Sequence, residues 1–181
     1  SLGYSSGTSG TKYYKIYEPH IDDRFIYDDT FYIVEVNTTG SAAELISIKK
    51  NGTEEIALDS TLGFVNRKTV KLNVTKEVVE KLSDKTFDFS VTVTLDGAPF
   101  DVAPPGDGAG YTVDGNVISF TLMHNKAITI PYIPHGAEIT VSEITTNGYI
   151  VYYTVEGVHN ELQLGDSVTL VVNSSDLTVH F

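Results

Sequence analysis

Residues 87–95, Phe-Asp-Phe-Ser-Val-Thr-Val-Thr-Leu, alternate apolar and polar side chains without a lapse. Successive side chains of a β-strand point to opposite faces of the sheet, so Phe87, Phe89, Val91, Val93 and Leu95 share one face. A helix would instead place apolar residues three and four positions apart. The stretch therefore predicts a strand that lies against the core of a β-protein.

The same period recurs on both sides of this strand. Val70, Leu72 and Val74 alternate before it, and further strands are predicted near residues 111–113, 117–123, 127–133 and 139–143, with Gly- and Pro-rich turns between them. Repeated short strands without helical crossovers are typical of antiparallel sandwiches. We expect an all-β fold of two immunoglobulin-like antiparallel β-sandwich domains in tandem.

The first part of the chain carries its own strand signals. Tyr13 to Glu18 and Phe31 to Val36 alternate, and Asn51-Gly52 between two strands predicts a tight hairpin with a primed turn. We expect a partial sandwich domain over residues 1–68 and a second sandwich domain over residues 69–181.

Composition excludes several functions. The 181 residues hold 12 Lys and Arg against 24 Asp and Glu, a formal net charge of −12, which disfavours nucleic acid and anionic membranes as partners. No Cys is present, so disulfides and thiolate metal sites are excluded. No apolar run approaches the roughly 20 residues of a membrane helix, and we expect no membrane insertion.

Four polar residues stand where the period of two calls for apolar ones: Glu18, Asn66, Lys76 and Glu143. A lone charge in a sandwich core is costly, so a buried acid tends to keep its proton and a buried amine tends to lose one. A neutral amine can attack a carboxamide while a protonated acid donates a hydrogen bond to the amide oxygen, and ammonia leaves. These residue types therefore suit a side-chain amide cross-link.

The chain resembles a known family in several stretches. They are LNVTKEVV (72–79), FDFSVTVTLDG (87–97), the run from Ile118 to Glu143, and the terminal LTVHF (177–181). Together they are similar to the Cna B-type and related pilin domains of Gram-positive surface proteins. The first part, residues 13–36 and LGFVN (62–66), resembles the later part of a streptococcal backbone pilin.

The resemblance implies a role for each of the four residues. Lys76 would be the isopeptide donor, Glu143 and Glu18 the assisting acids, and Asn66 an acceptor. In the family an Asn follows the final Phe by two positions, as Asn66 follows Phe64, but the printed sequence ends at Phe181.

Partners for these groups are harder to find in the sequence. Asn173 is the nearest substitute for the second acceptor, although it would lie at the wrong end of the final strand. Lys12 and Lys15 remain as donors for the first domain, but we expect them out of phase with Glu18.

Each assignment has a plainer alternative. Lys76 could extend its ammonium to solvent, and the two acids could lie on water-facing strands. Asn66 could simply begin a turn.

Other reactive or metal sites have weaker support. The acidic residues Asp22, Asp23, Asp28 and Asp29 could suggest calcium but lack EF-hand spacing, so a solvated loop is favoured. The scattered histidines lack the spacing of a zinc site. We expect no metal, no cofactor and no enzyme beyond single-turnover isopeptide formation.

The sequence thus favours a shaft module of a sortase-assembled pilus or adhesin on a Gram-positive cell wall. Its expected partners are neighbouring pilin subunits or domains and a host surface ligand. The alternative is a carbohydrate- or host-protein-binding module, which the eleven tyrosines would suit.

Overall fold

A computed structural model describes residues 9–22, 24–39, 42–79, 84–173 and 175–181. The described residues form strands and turns with no helix, which confirms the all-β prediction. The chain divides into two compact units, one of residues 1–23 and 27–66 and the other of residues 24–26 and 67–181. The short strand at residues 25–26 joins the second unit because it pairs with Arg67 and Lys68.

The described part of the first unit forms one antiparallel sheet of four strands, in the order β1-β3-β4-β5. Tyr32 and Ile48 are its buried apolar residues. An immunoglobulin-like sandwich needs a second, facing sheet, so that part of the fold expectation stays a prediction for this unit. The strands are β1 (Gly10–Tyr17), β3 (Phe31–Thr39), β4 (Ala42–Lys50) and β5 (Glu54–Ile56).

The predicted hairpin joins β4 to β5. Asn51 and Gly52 have φ angles of 50° and 78°, and the Thr53 N–H donates to the Lys50 carbonyl at 3.2 Å. Positive φ at both central residues is the signature of a type I′ turn, which matches the twist of the strands on either side. The prediction from Asn51-Gly52 is confirmed.

The second unit consists of two six-stranded sheets. We call them the front sheet, in the order β15-β12-β7-β10-β9 with β8 beside β7, and the back sheet, in the order β11-β6-β16-β13-β14 with β2 beside β6. The front sheet comprises β7 (Thr86–Leu95), β8 (Ala98–Pro99), β9 (Tyr111–Asp114), β10 (Val117–Met123), β12 (Glu138–Glu143) and β15 (Ser167–Val171). The back sheet comprises β2 (Phe25–Ile26), β6 (Arg67–Lys76), β11 (Lys126–Pro134), β13 (Tyr152–Val155), β14 (His159–Leu164) and β16 (Leu177–His180).

The two sheets share one hydrophobic core. Phe87, Phe89, Val91 and Val93 of β7 are buried as their alternation predicts, together with the inward residues of the back sheet. The ring of Phe89 stacks on Phe120 and meets the ring of Phe181 edge-on, each at a centroid distance of 5.4 Å. The second unit is therefore a β-sandwich.

The first long strand of this unit, β6, and its last strand, β16, are neighbours. β6 and β16 pair in parallel, from Leu72 beside Leu177 to Thr75 beside His180, whereas every other strand pair is antiparallel among the described residues. Two parallel strands cannot be joined by a short hairpin, so a long connection must separate them in the sequence. Here the connection is all of the chain between β6 and β16. This topology brings the end of β6 next to Phe181.

Candidate functional site

A buried amine and a buried carboxyl group meet in the core of the second unit. Lys76 ends β6 in the back sheet and is 5% exposed, and Glu143 ends β12 in the front sheet and is 2% exposed. Nζ of Lys76 lies 3.1 Å from Oε1 and 2.8 Å from Oε2 of Glu143. The structure thus brings together two of the four residues that the sequence analysis selected.

The period of two explains why both side chains point inward. Lys76 follows Val70, Leu72 and Val74 at even positions of β6, and all three are buried. Glu143 likewise follows the buried Ile139 and Val141 of β12. Each polar residue takes the last core-facing position of its strand, so the pair lies at one end of the sandwich. The plainer alternatives, a Lys that reaches solvent and a Glu on a water-facing strand, are wrong for this pair.

Aromatic and backbone groups hold the Lys76 side chain in place. The ring of Phe87 lies 4.6 Å from Nζ, where it also keeps water from that side of the amine. The Phe181 N–H donates to the Thr75 carbonyl at 3.0 Å, and the Glu77 N–H donates to the Phe181 carbonyl at 2.7 Å. These two bonds fix the backbone on either side of Lys76 against the last strand.

The contact allows two protonation arrangements with the same total charge. The pair can be an ammonium with a carboxylate, or an amine with a carboxylic acid, and one proton moved across the 2.8 Å contact converts one into the other. The geometry therefore permits proton transfer between the Lys76 and Glu143 side chains.

A second polar pair lies in the first unit. The Asn66 side-chain amide donates to Oε1 of Glu18 at 2.7 Å, and Oδ1 of Asn66 accepts the Asp28 N–H at 3.2 Å. Oε2 of Glu18 is shielded from solvent and has no hydrogen-bond partner among the described residues. The structure thus brings the predicted acid and acceptor of this unit together as well.

Their surroundings differ from the prediction. Asn66 is exposed and Glu18 is half-buried, whereas the pattern predicted both in a dry core. Glu18 lies one residue beyond β1 because Pro19 follows it and has no N–H to continue the ladder. Residues 57–66 form no strand.

Asp28 has a structural role that the sequence patterns did not reveal: its side chain bonds to backbone near the start of β3 and at Val65. Asp28 accepts the Val65 N–H at 3.0 Å and the Thr30 N–H at 2.9 Å. The Thr30 side chain, then the Thr30 and Val65 amides, lower the pKa of Asp28 below its ordinary value of 3.8. An Asp two residues before a Thr at a strand start is a turn signal that could have identified this role.

The remaining candidates do not join either pair. Lys15 is exposed and lies over the rings of Phe31 and Tyr17, at 4.3 Å and 5.6 Å. Lys12 and Glu18 are an even number of residues apart and so are in phase, contrary to the prediction. Six residues of extended chain nevertheless separate them by about 20 Å. Asn173 is exposed and follows β15 of the front sheet.

Asp28 and Asp29, two of the four acidic residues that could suggest calcium, have partners in the structure. Asp28 has the structural role described above and Asp29 lies 3.4 Å from His20, while Asp23 is outside the described residues. In the described parts of the chain, no three His, Cys, Asp or Glu side chains are arranged to hold a metal ion. Nor does this part of the structure include a helix that could cross a membrane.

Comparison with protein families gives a match to most of the second unit. The model of a family described as a domain of unknown function, DUF7601, matches residues 70–175. The chain belongs to the DUF7601 family. The matched residues run from β6 to the end of β15 and beyond, and so include Lys76 and Glu143. No curated protein matches the chain in sequence.

Solved structures of pilus proteins are similar to this chain. The major pilin from Streptococcus pyogenes is 21% identical, with a TM-score of 0.50, over 96% of this chain and 69% of the pilin. A point mutant of that pilin gives 20% identity and a TM-score of 0.50, over 96% of this chain and 70% of the mutant. The pilus-presented adhesin Cpa is 15% identical, with a TM-score of 0.47, over 83% of this chain and 36% of the adhesin. This DUF7601 chain therefore has the fold of a Gram-positive pilin.

Proposed function

We propose that this DUF7601 chain is a structural module of a cell-surface pilus or adhesin, stabilised by isopeptide bonds between Lys and Asn side chains. Lys76 is the donor and Glu143 the assisting acid in the second unit. Asn66 is the acceptor and Glu18 the assisting acid in the first. The observation that carries the proposal is the buried contact of 2.8 Å between Nζ of Lys76 and Oε2 of Glu143.

The reaction needs an uncharged amine, an acid and a carboxamide. The Lys76 nitrogen attacks Cγ of an Asn while the protonated carboxyl of Glu143 donates a hydrogen bond to the amide oxygen. The new bond between Nζ and Cγ forms and the bond from Cγ to the amide nitrogen breaks. The proton that Nζ gives up passes to the departing NH2 group, which leaves as ammonia. Fixed positions in a dry core replace a substrate pocket, because they give the groups a high effective concentration.

The acceptor for Lys76 has a defined approach. The backbone of Phe181 is hydrogen-bonded to Thr75 and Glu77, the two neighbours of Lys76 in the sequence. Any chain that continued β16 would therefore pass beside the amine. A bond there would join β6 to the chain that follows β16. By analogy with a disulfide that closes about 100 residues, it would add roughly 4 to 5 kcal/mol through the unfolded state.

The biological setting follows from the same proposal. The pilin fold and the absence of cysteine in the sequence suit an extracellular protein that uses cross-links other than disulfides. Its partners are neighbouring pilin subunits or domains on a Gram-positive cell wall, joined by sortase, and a host surface ligand.

Intact-mass spectrometry of the protein as its own cell makes it tests the proposal. Each bond lowers the mass by one ammonia, and fragmentation locates a branched peptide at Lys76. Lys76→Arg is the matched variant, since Arg keeps a cation beside Glu143 but cannot become a neutral nucleophile. Glu143→Gln keeps the shape and removes the acid.

Both variants should lack the Lys76 bond. After the mass change of the substitution itself is subtracted, each should be heavier than the native protein by one ammonia. A native protein whose Lys76 is recovered in an unbranched peptide, with no mass deficit relative to Lys76→Arg, contradicts the proposal.

A further inference from the structure

The face of the front sheet that points away from the core is covered with hydroxyl groups. One row runs straight across five strands, because the pairings align Ser167 with Ser142, Ser142 with Ser90, Ser90 with Ser119, and Ser119 with Thr112. Neighbouring strands lie about 4.8 Å apart, so the row repeats hydroxyl groups at that spacing.

Some of these hydroxyl groups already bond to one another. Ser142 and Ser167 are 2.8 Å apart at their oxygens, and Thr140 and Thr169 are 2.9 Å apart. A hydroxyl group has one donor and two acceptor positions, so a pair that shares one hydrogen bond still offers a donor and several acceptors to a ligand. The sheet holds these groups on a rigid backbone, which lowers the entropy lost on binding.

Part of this face forms a groove of about 800 Å³. Its floor includes Ser90, Ser119, Thr112 and Thr121, and the loop at residues 105–110 forms a wall. The volume lies within the range of about 300 to 1,000 Å³ that is usual for ligand sites. The hydroxyl row therefore continues into a shallow, open groove.

Two carboxyl groups border the groove, and its described lining includes no Lys, Arg or His. Asp88 accepts a hydrogen bond from the Thr145 hydroxyl at 2.7 Å, which fixes its carboxylate, and Asp107 lies in the wall. A carboxylate accepts several hydrogen bonds, so Asp88 can also accept from a ligand hydroxyl. These charges would repel an anionic ligand, as would the net charge of −12.

We propose that this groove binds a segment of a neutral polysaccharide. The ligand class follows from the lining: many hydroxyl donors and acceptors, two carboxylate acceptors, of which Asp88 is fixed by Thr145, and no cation. Sugar hydroxyl groups hydrogen-bond to the floor and to Asp88. The site lies on the outer face of the sandwich and does not depend on the pair of Lys76 and Glu143 in the core.

NMR titration of the 181-residue chain tests this site, with cellohexaose, maltohexaose and the N-acetylglucosamine hexamer as neutral probes and a galacturonic acid hexamer as the anionic probe. At least one neutral probe should shift the amide signals of residues 88–90, 105–112 and 119–121, and the anionic probe should not. Ser119→Ala with Thr121→Val, on the groove floor, should weaken binding about tenfold, since two hydrogen bonds are lost.

The control is Thr154→Val with Thr178→Val, which also removes two hydroxyl groups from a sheet of the second unit but does so on the back sheet, away from the groove lining, and should leave the affinity unchanged. The proposal is overturned if no neutral probe shifts these amides at concentrations up to about 10 mM, the weak end of useful affinity. It is equally overturned if the floor variant binds as tightly as the native chain, or if the anionic probe binds as well as the neutral ones.

Discussion

Replacing Lys76 with Met tests whether the amine and acid are a dry, coupled pair. Met keeps most of the apolar stem but removes the amine, so Glu143, whose side chain is fully buried, loses its partner. Removing one partner of a buried pair costs about 3 to 5 kcal/mol. That is a large share of the roughly 5 to 15 kcal/mol that stabilises a typical domain.

The double variant Lys76→Met with Glu143→Leu makes the test specific. Both polar groups are then replaced by apolar side chains, and such replacements are often neutral or stabilising. We therefore expect the double variant to recover to within about 1 kcal/mol of the native chain or to exceed it. Recovery by a second substitution would not occur if Lys76 acted only through its apolar packing.

Urea unfolding of the 181-residue chain, followed through NMR signals of β7 and β12, measures the second unit by itself. Arg67→Met is the control within the same unit, because Arg67 and Asp96 form a pair of 2.7 Å between side chains that are 38% and 72% exposed. An exposed pair contributes about 1 kcal/mol or less. The reasoning fails if Lys76→Met costs no more than this control, or if the double variant is no more stable than Lys76→Met.

Two predictions concern the first unit. Because hydrogen bonds lower the pKa of Asp28 below 3.8, its stabilising contribution is present above that pH and is lost as the pH falls through the lowered folded value. Acid titration of the Val65 amide signal should therefore show a loss that is absent in Asp28→Asn, and identical profiles would contradict this. Gly52→Ala should cost about 1 kcal/mol, because φ is 78° and the nearest side-chain atoms lie at an ordinary 3.8 Å. In urea unfolding Gly63→Ala, where φ is not positive and the space is open, should cost less; equal losses would exclude the conformational explanation.

In the second unit, alternation in the sequence was sufficient to predict which face of a strand a side chain lies on. It placed Lys76 and Glu143 inward because each continues an apolar series, and both are buried. Asn51-Gly52 predicted its turn because positive φ is a local property of those two residues. These features depend on neighbouring residues only, so one sequence without a structure could provide them.

The same patterns could not predict the order in which the strands pair or the register of each pair. A period of two does not state which strands pair, so it could not predict the parallel pair of β6 and β16 or the contact of Lys76 with Glu143 across the sandwich. The hydroxyl row needed five strands in one register, and the role of Asp28 needed residues 63–66 to return to the start of β3. Family resemblance supplied the expectation that Lys76 and Glu143 meet, and geometry supplied the distance.

The parallel pairing also explains why the end of β6 is an effective place for a cross-link. Tension applied to the two ends of the second unit pulls β6 towards Arg67 and β16 towards Phe181, so the neighbouring strands are pulled in opposite directions along their axes. Their hydrogen bonds then share the load, whereas an antiparallel hairpin pulled at its open end loses them one by one. With the proposed bond at Lys76, the load passes along β6 and directly into the chain after β16. Residues 77–181 are then outside the load path, so opening the noncovalent sandwich does not lengthen the chain by those residues. Resistance to force then depends on a covalent bond and no longer on the rate of unfolding.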